Sequence, residues 1–354
     1  MVLDVESLRQ EWPRPSDPRP IVIIGAGGIV DDAHMPAYRM AGLPVAGVFD
    51  LNPERRDFIA RKWEIPAFAS LEAALAVDGA VYDLALPPAA HLQVLPALPD
   101  GAAVLMQKPM GRDLAEATGI LQLARQKRLV AAVNFQLRFA PLVLAVADAR
   151  SRGWLGELID VDLHLNLLTP WHLFPFLKGQ ERVEIAVHSI HYLDMLRSFF
   201  GSPAGVYART MGHPKSDMAQ TRTSAIFDFG PDIRATMSVN HDHRFGRRFQ
   251  DATFKFEGTE GVAVASMGGL LNYPAGEPDS LFIGQGNNVW DEVPLRGGWF
   301  PHAFRGPMSN LQRFVAGEDD VLVTGVEDAW ETMALVEAAF TSSAAPMTPL
   351  EAKP

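Results

Sequence analysis

From residue 20 to about residue 140 the apolar positions repeat one rhythm: a short unbroken hydrophobic run, a turn, then a stretch with helical spacing. The runs Ile21–Ile24, Val45–Phe49, Ala80–Leu86, Ala103–Met106 and Val130–Val133 are continuous. Strands of a parallel sheet covered on both faces read this way. Between them Pro36–Met40, Pro53–Trp63, Leu71–Ala76, Ala89–Ala97 and Leu114–Lys127 are predicted helices. Alternating βα units of this kind predict a doubly wound α/β sheet.

After about residue 155 the period becomes two. Asp160, Asp162, His164 and Asn166 alternate with Val161, Leu163, Leu165 and Leu167. Ile233, Ala235, Met237 and Val239 alternate with Arg234, Thr236, Ser238 and Asn240, and Phe254 and Phe256 flank Lys255. Such segments predict an antiparallel sheet with one wetter face. Helices are expected again at Ile190–Phe200, His302–Val315 and Val326–Ser342. The expected division is an arm over 1–19, a first domain over 20–140 and a second over 141–354, with the boundary between Asn134 and Trp154.

Composition narrows the partners. A net charge of −11 disfavours nucleic acid, whose binding draws on clustered Lys and Arg. The chain has no cysteine, so disulfides, thiolate zinc sites and a cysteine nucleophile are excluded together. No run approaches the roughly 18 apolar residues of a membrane span. The segment Met1–Arg19, with Trp12 and three prolines, has no apolar stretch of a secretion signal, so a cytoplasmic address is expected.

Chemistry is concentrated at three places. Gly25-Ala26-Gly27-Gly28-Ile29-Val30 follows the first strand and precedes a helix. Glycines there allow a tight turn and bring backbone N–H groups close to a pyrophosphate at a helix N-terminus. Val30 stands where the third glycine or alanine of the fingerprint would be, so the fingerprint is incomplete, and a turn without a ligand is the alternative reading. Asp50, ending the second strand, is placed to accept both ribose hydroxyls of an adenosine; it would repel a 2′-phosphate, favouring NAD over NADP. Arg55 and Arg56 are the residues that keep NADP as a lesser option, and a strand-end Asp capping the next helix is the alternative role for Asp50. Gln107-Lys108-Pro109 lies just past Ala103–Met106, at a strand's carboxyl end where such sheets bind ligands. In the third place His188, His191 and Asp194 recur every three residues on a predicted helix, a spacing that shares a face. An imidazole beside a carboxylate suits proton transfer near neutral pH, although a core histidine is the alternative for either ring.

Together these segments resemble the Gfo/Idh/MocA oxidoreductases, the family of glucose–fructose oxidoreductase and inositol dehydrogenase. The resemblance includes the glycine turn, Asp50, Leu86-Pro87-Pro88-Ala89-Ala90-His91, Gln107-Lys108-Pro109-Met110, Asn134 to Pro141, Ile190-His191-Tyr192-Leu193-Asp194 and Glu327-Asp328-Ala329. It implies an N-terminal Rossmann domain followed by an α/β domain with a large open, mostly antiparallel sheet that makes oligomer contacts, as a homodimer or homotetramer. It implies NAD-dependent hydride transfer to or from a secondary alcohol of a sugar, sugar acid or cyclitol. Lys108 matches the family's Glu-Lys-Pro lysine and His191 the histidine of its Asp-x-x-x-His motif, the catalytic pair. Gly25, Gly27, Gly28, Ile29, Val30, Asp50, Leu86, Pro87, His91, Gln107 and Lys108 are the expected cofactor residues. Trp171, His172, His188, Asp194 and Arg138 are the expected substrate residues, and no metal is expected.

Two departures stand out. Gln107 replaces the motif's Glu, so Lys108 loses a charge partner and is expected to titrate lower if desolvated. Val187 replaces the motif's Asp, leaving Glu184, His188 or Asp194 as partial substitutes. Trp171 could equally cover the core edge, and Arg244, Arg247 and Arg248 could meet an acidic substrate or form a solvated loop. Two other readings stay open: elimination or glycoside cleavage through transient oxidation with retained NAD, and a cofactor-binding protein without catalysis.

Overall fold

The computed structural model describes residues 3–173, 177–273, 275–286 and 289–351. Five strands, β1 (Ile21–Ile24), β2 (Val45–Phe49), β3 (Val81–Leu84), β4 (Ala103–Met106) and β5 (Val130–Val133), form a wholly parallel sheet in the order β2-β1-β3-β4-β5. Every residue of β1, β3 and β4 is buried, which is why these strands read as unbroken apolar runs. The chain reverses its direction of sheet growth between β1 and β3, and ligands of open α/β sheets bind at that crevice beyond the carboxyl ends.

Helices cover both faces: α1 (Met35–Ala41), α2 (Pro53–Trp63), α3 (Leu71–Leu75), α4 (His91–Val94), α5 (Leu114–Gln126) and α6 (Pro141–Ser151). The predicted helix Ala89–Ala97 is broken into α4 flanked by two 3-10 turns, and Pro96, within that stretch, supplies no N–H and interrupts the ladder. Asn52 caps α2 by accepting from the backbone N–H groups of Glu54 and Arg55 at 3.0 and 3.2 Å.

The second sheet has eight strands: β6 (Leu158–Asn166), β7 (Gly205–Met211), β8 (Arg222–Asp228), β9 (Arg234–Asn240), β10 (Asp251–Gly258), β11 (Gly261–Ser266), β12 (Ser280–Gln285) and β13 (Val289–Glu292). Their order is β13-β12-β11-β10-β6-β9-β8-β7, antiparallel except for the central pair β6 and β9. Alternate residues of β6, β8 and β9 are buried in one core cluster with residues of α7 (Ile190–Phe200) and α9 (Val326–Ala344). The C-terminal part does not keep to the second sheet. From α8 (Arg305–Val315), Met308 and Leu311 sit in one core cluster with Ile21, Ile23 and Val48 of the first. Among the described residues no helix is long and apolar enough to cross a membrane.

Candidate active site

β1 runs directly into Gly25, whose φ of +109° no L side chain adopts easily and whose added Cβ would lie 2.4 Å from the Ala85 carbonyl oxygen. That contact pins the turn against the end of β3. A Cβ at Gly27 would meet nothing within 4 Å, and at Gly28 the nearest atom is an Asp32 carboxylate oxygen at 3.8 Å. The outer side of the turn is therefore an open cradle, formed by exposed Gly27 and Gly28 and half-buried Ile29. Val30 is fully buried in the sheet's core, and the helix opens with a π-turn over Val30–His34 before α1. Gly25 and Val30 shape the turn from inside, where neither offers a surface to a ligand.

Asp50 holds the same turn. Its carboxylate accepts from the Ala26 and Asn52 backbone N–H groups at 2.6 and 2.7 Å, one on each oxygen, and each oxygen keeps acceptor capacity. Helix capping falls to Asn52, not to Asp50. The Arg55 guanidinium donates to the Ala26 carbonyl at 3.0 and 3.2 Å and lies over the Phe58 ring, while Arg56 pairs with Asp57. Leu86 is half-buried and Pro87 exposed beyond β3. His91 is fully buried, and burial drives its pKa down to about 4, so it is a neutral core imidazole. The expectation that it meets the cofactor is corrected by that burial.

Lys108, at the end of β4, crosses to the second half of the molecule. Its Nζ donates to the Val187 carbonyl oxygen at 2.7 Å, and the Gln107 side chain accepts from the Lys108 backbone N–H at 3.1 Å. The residue is half-exposed along its length, but burial around its ammonium lowers the pKa to about 8. With neutral Gln107 beside it, no carboxylate opposes that shift.

The partner segment is a π-turn over Ile185–Ser189 running into α7. The wider turn changes the expected helical face. His188 lies against the Trp171 ring at 5.2 Å and the His241 ring at 4.4 Å, while His191 meets Trp299 edge-on at 5.2 Å. Burial holds both histidines well below their ordinary pKa; His241 and Lys108 add to this at His188, and Lys108 and His188 at His191. Lys108, His188 and His191 thus lie close enough to act on one another, with two neutral imidazoles beside one ammonium. Val187 turns its side chain into an apolar cluster with Trp171, Leu177, Val183 and Met218.

Other expected substrate residues lie elsewhere. Asp194 is fully buried and takes a bidentate pair of bonds from Arg138 at 2.6 Å each, with Thr332 at 3.0 Å. Arg138 also reaches Asp328 at 2.6 Å. Both are engaged in an ion-pair network joining α7 to α9, which leaves no group for a substrate. His172 is exposed beside Trp171 and stands outside the cluster. Trp299 has no sequence signal, because only the tertiary fold brings it to His191. Glu184 did leave one, as the single charge in the apolar run from Val183 to Val187.

The family model described as an oxidoreductase family with an NAD-binding Rossmann fold, Gfo/Idh/MocA, matches residues 19–135. D-apiose dehydrogenase of Rhizobium rhizogenes is 24% identical over 320 residues, covering 86% of this chain and 89% of that protein. Residues 19–135 thus carry the NAD-binding Rossmann fold of the Gfo/Idh/MocA oxidoreductase family. A second relative, the putative oxidoreductase YceM of Salmonella typhimurium, is 32% identical over 145 residues, which is 41% of this chain and 46% of that protein. Among solved structures, an oxidoreductase from Agrobacterium radiobacter in complex with NAD+, L-tartaric acid and magnesium superposes with a TM-score of 0.74. It is 20% identical, and the match covers 93% of this chain and 97% of that one. That structure shares the fold of both sheets, and the first of them lies in the stretch matched as an NAD-binding Rossmann fold.

Proposed function

We propose that this protein is an NAD-dependent dehydrogenase of a sugar-like secondary alcohol, working where Lys108, His188 and His191 come together. The open cradle at Gly27 and Gly28, with Asp50 behind it, fits a dinucleotide whose pyrophosphate meets the turn and whose adenosine ribose meets Asp50. The engagement of Arg55 with Ala26 and of Arg56 with Asp57 favours NAD, since a 2′-phosphate would have to compete with these contacts. When bound, nicotinamide supplies the hydride chemistry.

The observation that carries this reading is the reach of Lys108 across the two halves of the chain to the Val187 carbonyl, four residues before His191, whose ring burial keeps neutral. In the oxidising direction His191, unprotonated at neutral pH, takes the proton of the substrate hydroxyl. The Lys108 ammonium donates to the oxygen as negative charge develops, a stabilisation that strengthens in a water-poor site. Two relatives carry names of this class, D-apiose dehydrogenase and the 1,5-anhydro-D-fructose reductase of Ensifer adhaerens. The test is a panel of polyols, sugars and sugar acids incubated with purified protein and NAD+ or NADP+, followed by the absorbance of reduced nicotinamide. Free NADH released with at least one member supports the reading. Tight NADH binding with no turnover across the panel refutes it.

A further inference from the structure

The segment that brings Trp299 to His191 is held from outside by the N-terminal arm. Pairing of β13 with β12 continues one residue past the strand, where the Val293 N–H donates to the Leu281 carbonyl at 2.8 Å. From there Gln10 takes over. Its Nε2 donates to the Pro294 carbonyl at 3.1 Å, and its Oε1 accepts from the Arg296 N–H at 2.7 Å. One side-chain amide thus supplies both a donor and an acceptor to the backbone, as a neighbouring strand would. The Arg296 guanidinium returns to the arm, donating to the Glu6 and Leu8 carbonyls at 3.3 and 3.1 Å, and Arg305 pairs with Glu11 at 3.2 Å.

The arm itself is firmly seated. Leu8, Gln10 and Trp12 turn inward while Arg9 and Glu11 are exposed, the period of an extended chain. Leu8 belongs to the main core cluster, and Trp12 meets Phe139 edge-on at 5.2 Å while donating to Asp319 at 2.8 Å. Gln10, only 1% exposed, sits between these two anchors. An apolar side chain there would leave two backbone groups of the segment without their partners.

Between the grips at Arg296 and Arg305 the segment is fixed by its own bonds. The Gly298 N–H donates to His302 Nδ1 at 3.3 Å, the Trp299 N–H to Asp279 at 3.2 Å, and the Ala303 N–H to the Trp299 carbonyl at 3.0 Å. A Cβ at Gly297, where φ is +121°, would lie 2.5 Å from the His302 ring. A stretch so tied moves as one piece, and its far side presents the Trp299 indole edge-on to His191 at 5.2 Å.

We propose that Gln10 is a positioning residue for the active site: by fixing the chain after β13 it sets the Trp299 indole against the His191 ring. The arm then belongs to the catalytic framework although it touches none of the reacting groups. This rests on the dehydrogenase reading only in giving His191 the substrate proton.

The experiment is NMR of the full chain carrying histidines labelled at Cε1 with carbon-13, without ligand at pH 7.5. The His191 signal is the one lost in His191→Ala. Gln10→Leu should shift it in the same direction as Trp299→Phe does, while the signal of His91, buried in the first domain, stays in place. Gln10→Met serves where the Leu variant does not fold. On whichever sugar or polyol is turned over with NAD+, Gln10→Leu and Trp299→Phe should each lower kcat by roughly tenfold or more, the cost of a small misplacement. The double variant should lose no more than the worse single one, because the two act through one contact. A His191 signal unmoved in Gln10→Leu, or losses that multiply in the double variant, would overturn the proposal. A shifted His191 signal in a protein that turns over no member of the panel would refute the dehydrogenase reading and leave the positioning by Gln10 standing.

Discussion

At the scale of single residues, the account turns on Lys108 and the departure at Val187. Lys108 must be charged to stabilise a developing alkoxide, and its pKa is lowered to about 8 by burial. His191 is already neutral at pH 7 because its pKa is held well below the usual 6.5. The predicted oxidation profile in kcat/KM is therefore level through neutral pH and falls as pH rises past about 8. In Lys108→Ala that alkaline fall should vanish along with most of the rate; an unchanged alkaline limb would assign it to another group. Val187→Asp places a carboxylate among Trp171, Leu177, Val183 and Met218. It should destabilise the protein by about 1–3 kcal/mol and lower turnover, the cost of a buried polar group without a matched partner. A chemical denaturation series measures the first effect and steady-state rates the second. Lys108 was readable from its motif at a strand's end, His191 from its motif, and His188 from its spacing to His191. Asp194 and Arg138 were not, because helical spacing says which residues share a face and not what that face meets.

At the scale of elements, the glycine turn and its two neighbours decide the cofactor. Asp50 both ties down Ala26 and stands where the adenosine ribose is expected, so Asp50→Ala loosens the turn as well as removing an acceptor. NAD(H) should bind more tightly than NADP(H) in fluorescence titration, and the variant should bind NAD(H) more weakly with a smaller gap between the two. Equal affinities in the unaltered protein would mean that Arg55 leaves Ala26 to meet a 2′-phosphate. The five parallel strands were legible because burial on both faces leaves an unbroken apolar run. The strands β7, β8, β11, β12 and β13 were not. β7 alternates half-buried with exposed residues and carries Gly205, Arg209 and Thr210, and β13 is four residues with none buried. The π-turns over Val30–His34 and Ile185–Ser189 left no sequence mark, yet both precede a helix that shapes the pocket.

At the scale of the whole molecule, the outer face of the second sheet is a continuous surface. In register across it run Tyr207, Ile226, Thr236, Asp162, Lys255, Val264, Phe282 and Glu292. Tyr207 is 80% and Ile226 56% exposed, much apolar surface for one side of a sheet. We infer that a second copy covers this face. Light scattering should give a dimer or tetramer, and Ile226→Glu should shift it toward the 38.7 kDa monomer. Stability should also fall in mild acid. His91, at about 4 when folded against 6.5 when free, takes up its proton only in the unfolded chain between those values. The folded state therefore loses stability as pH drops from about 6.5 to about 4, and His188 and His191 act with the same sign. Melting temperatures at pH 7.5 and 5 measure this. Both halves of the chain must come together to form the pocket, and one measurement tests that claim most directly. It compares kcat/KM of His191→Ala with the unaltered enzyme on an identified substrate, with NADH affinity measured in parallel. A fall of about two to four decades, with NADH affinity held within a few-fold, is the predicted result. A His191→Ala enzyme with near-normal turnover would contradict the account.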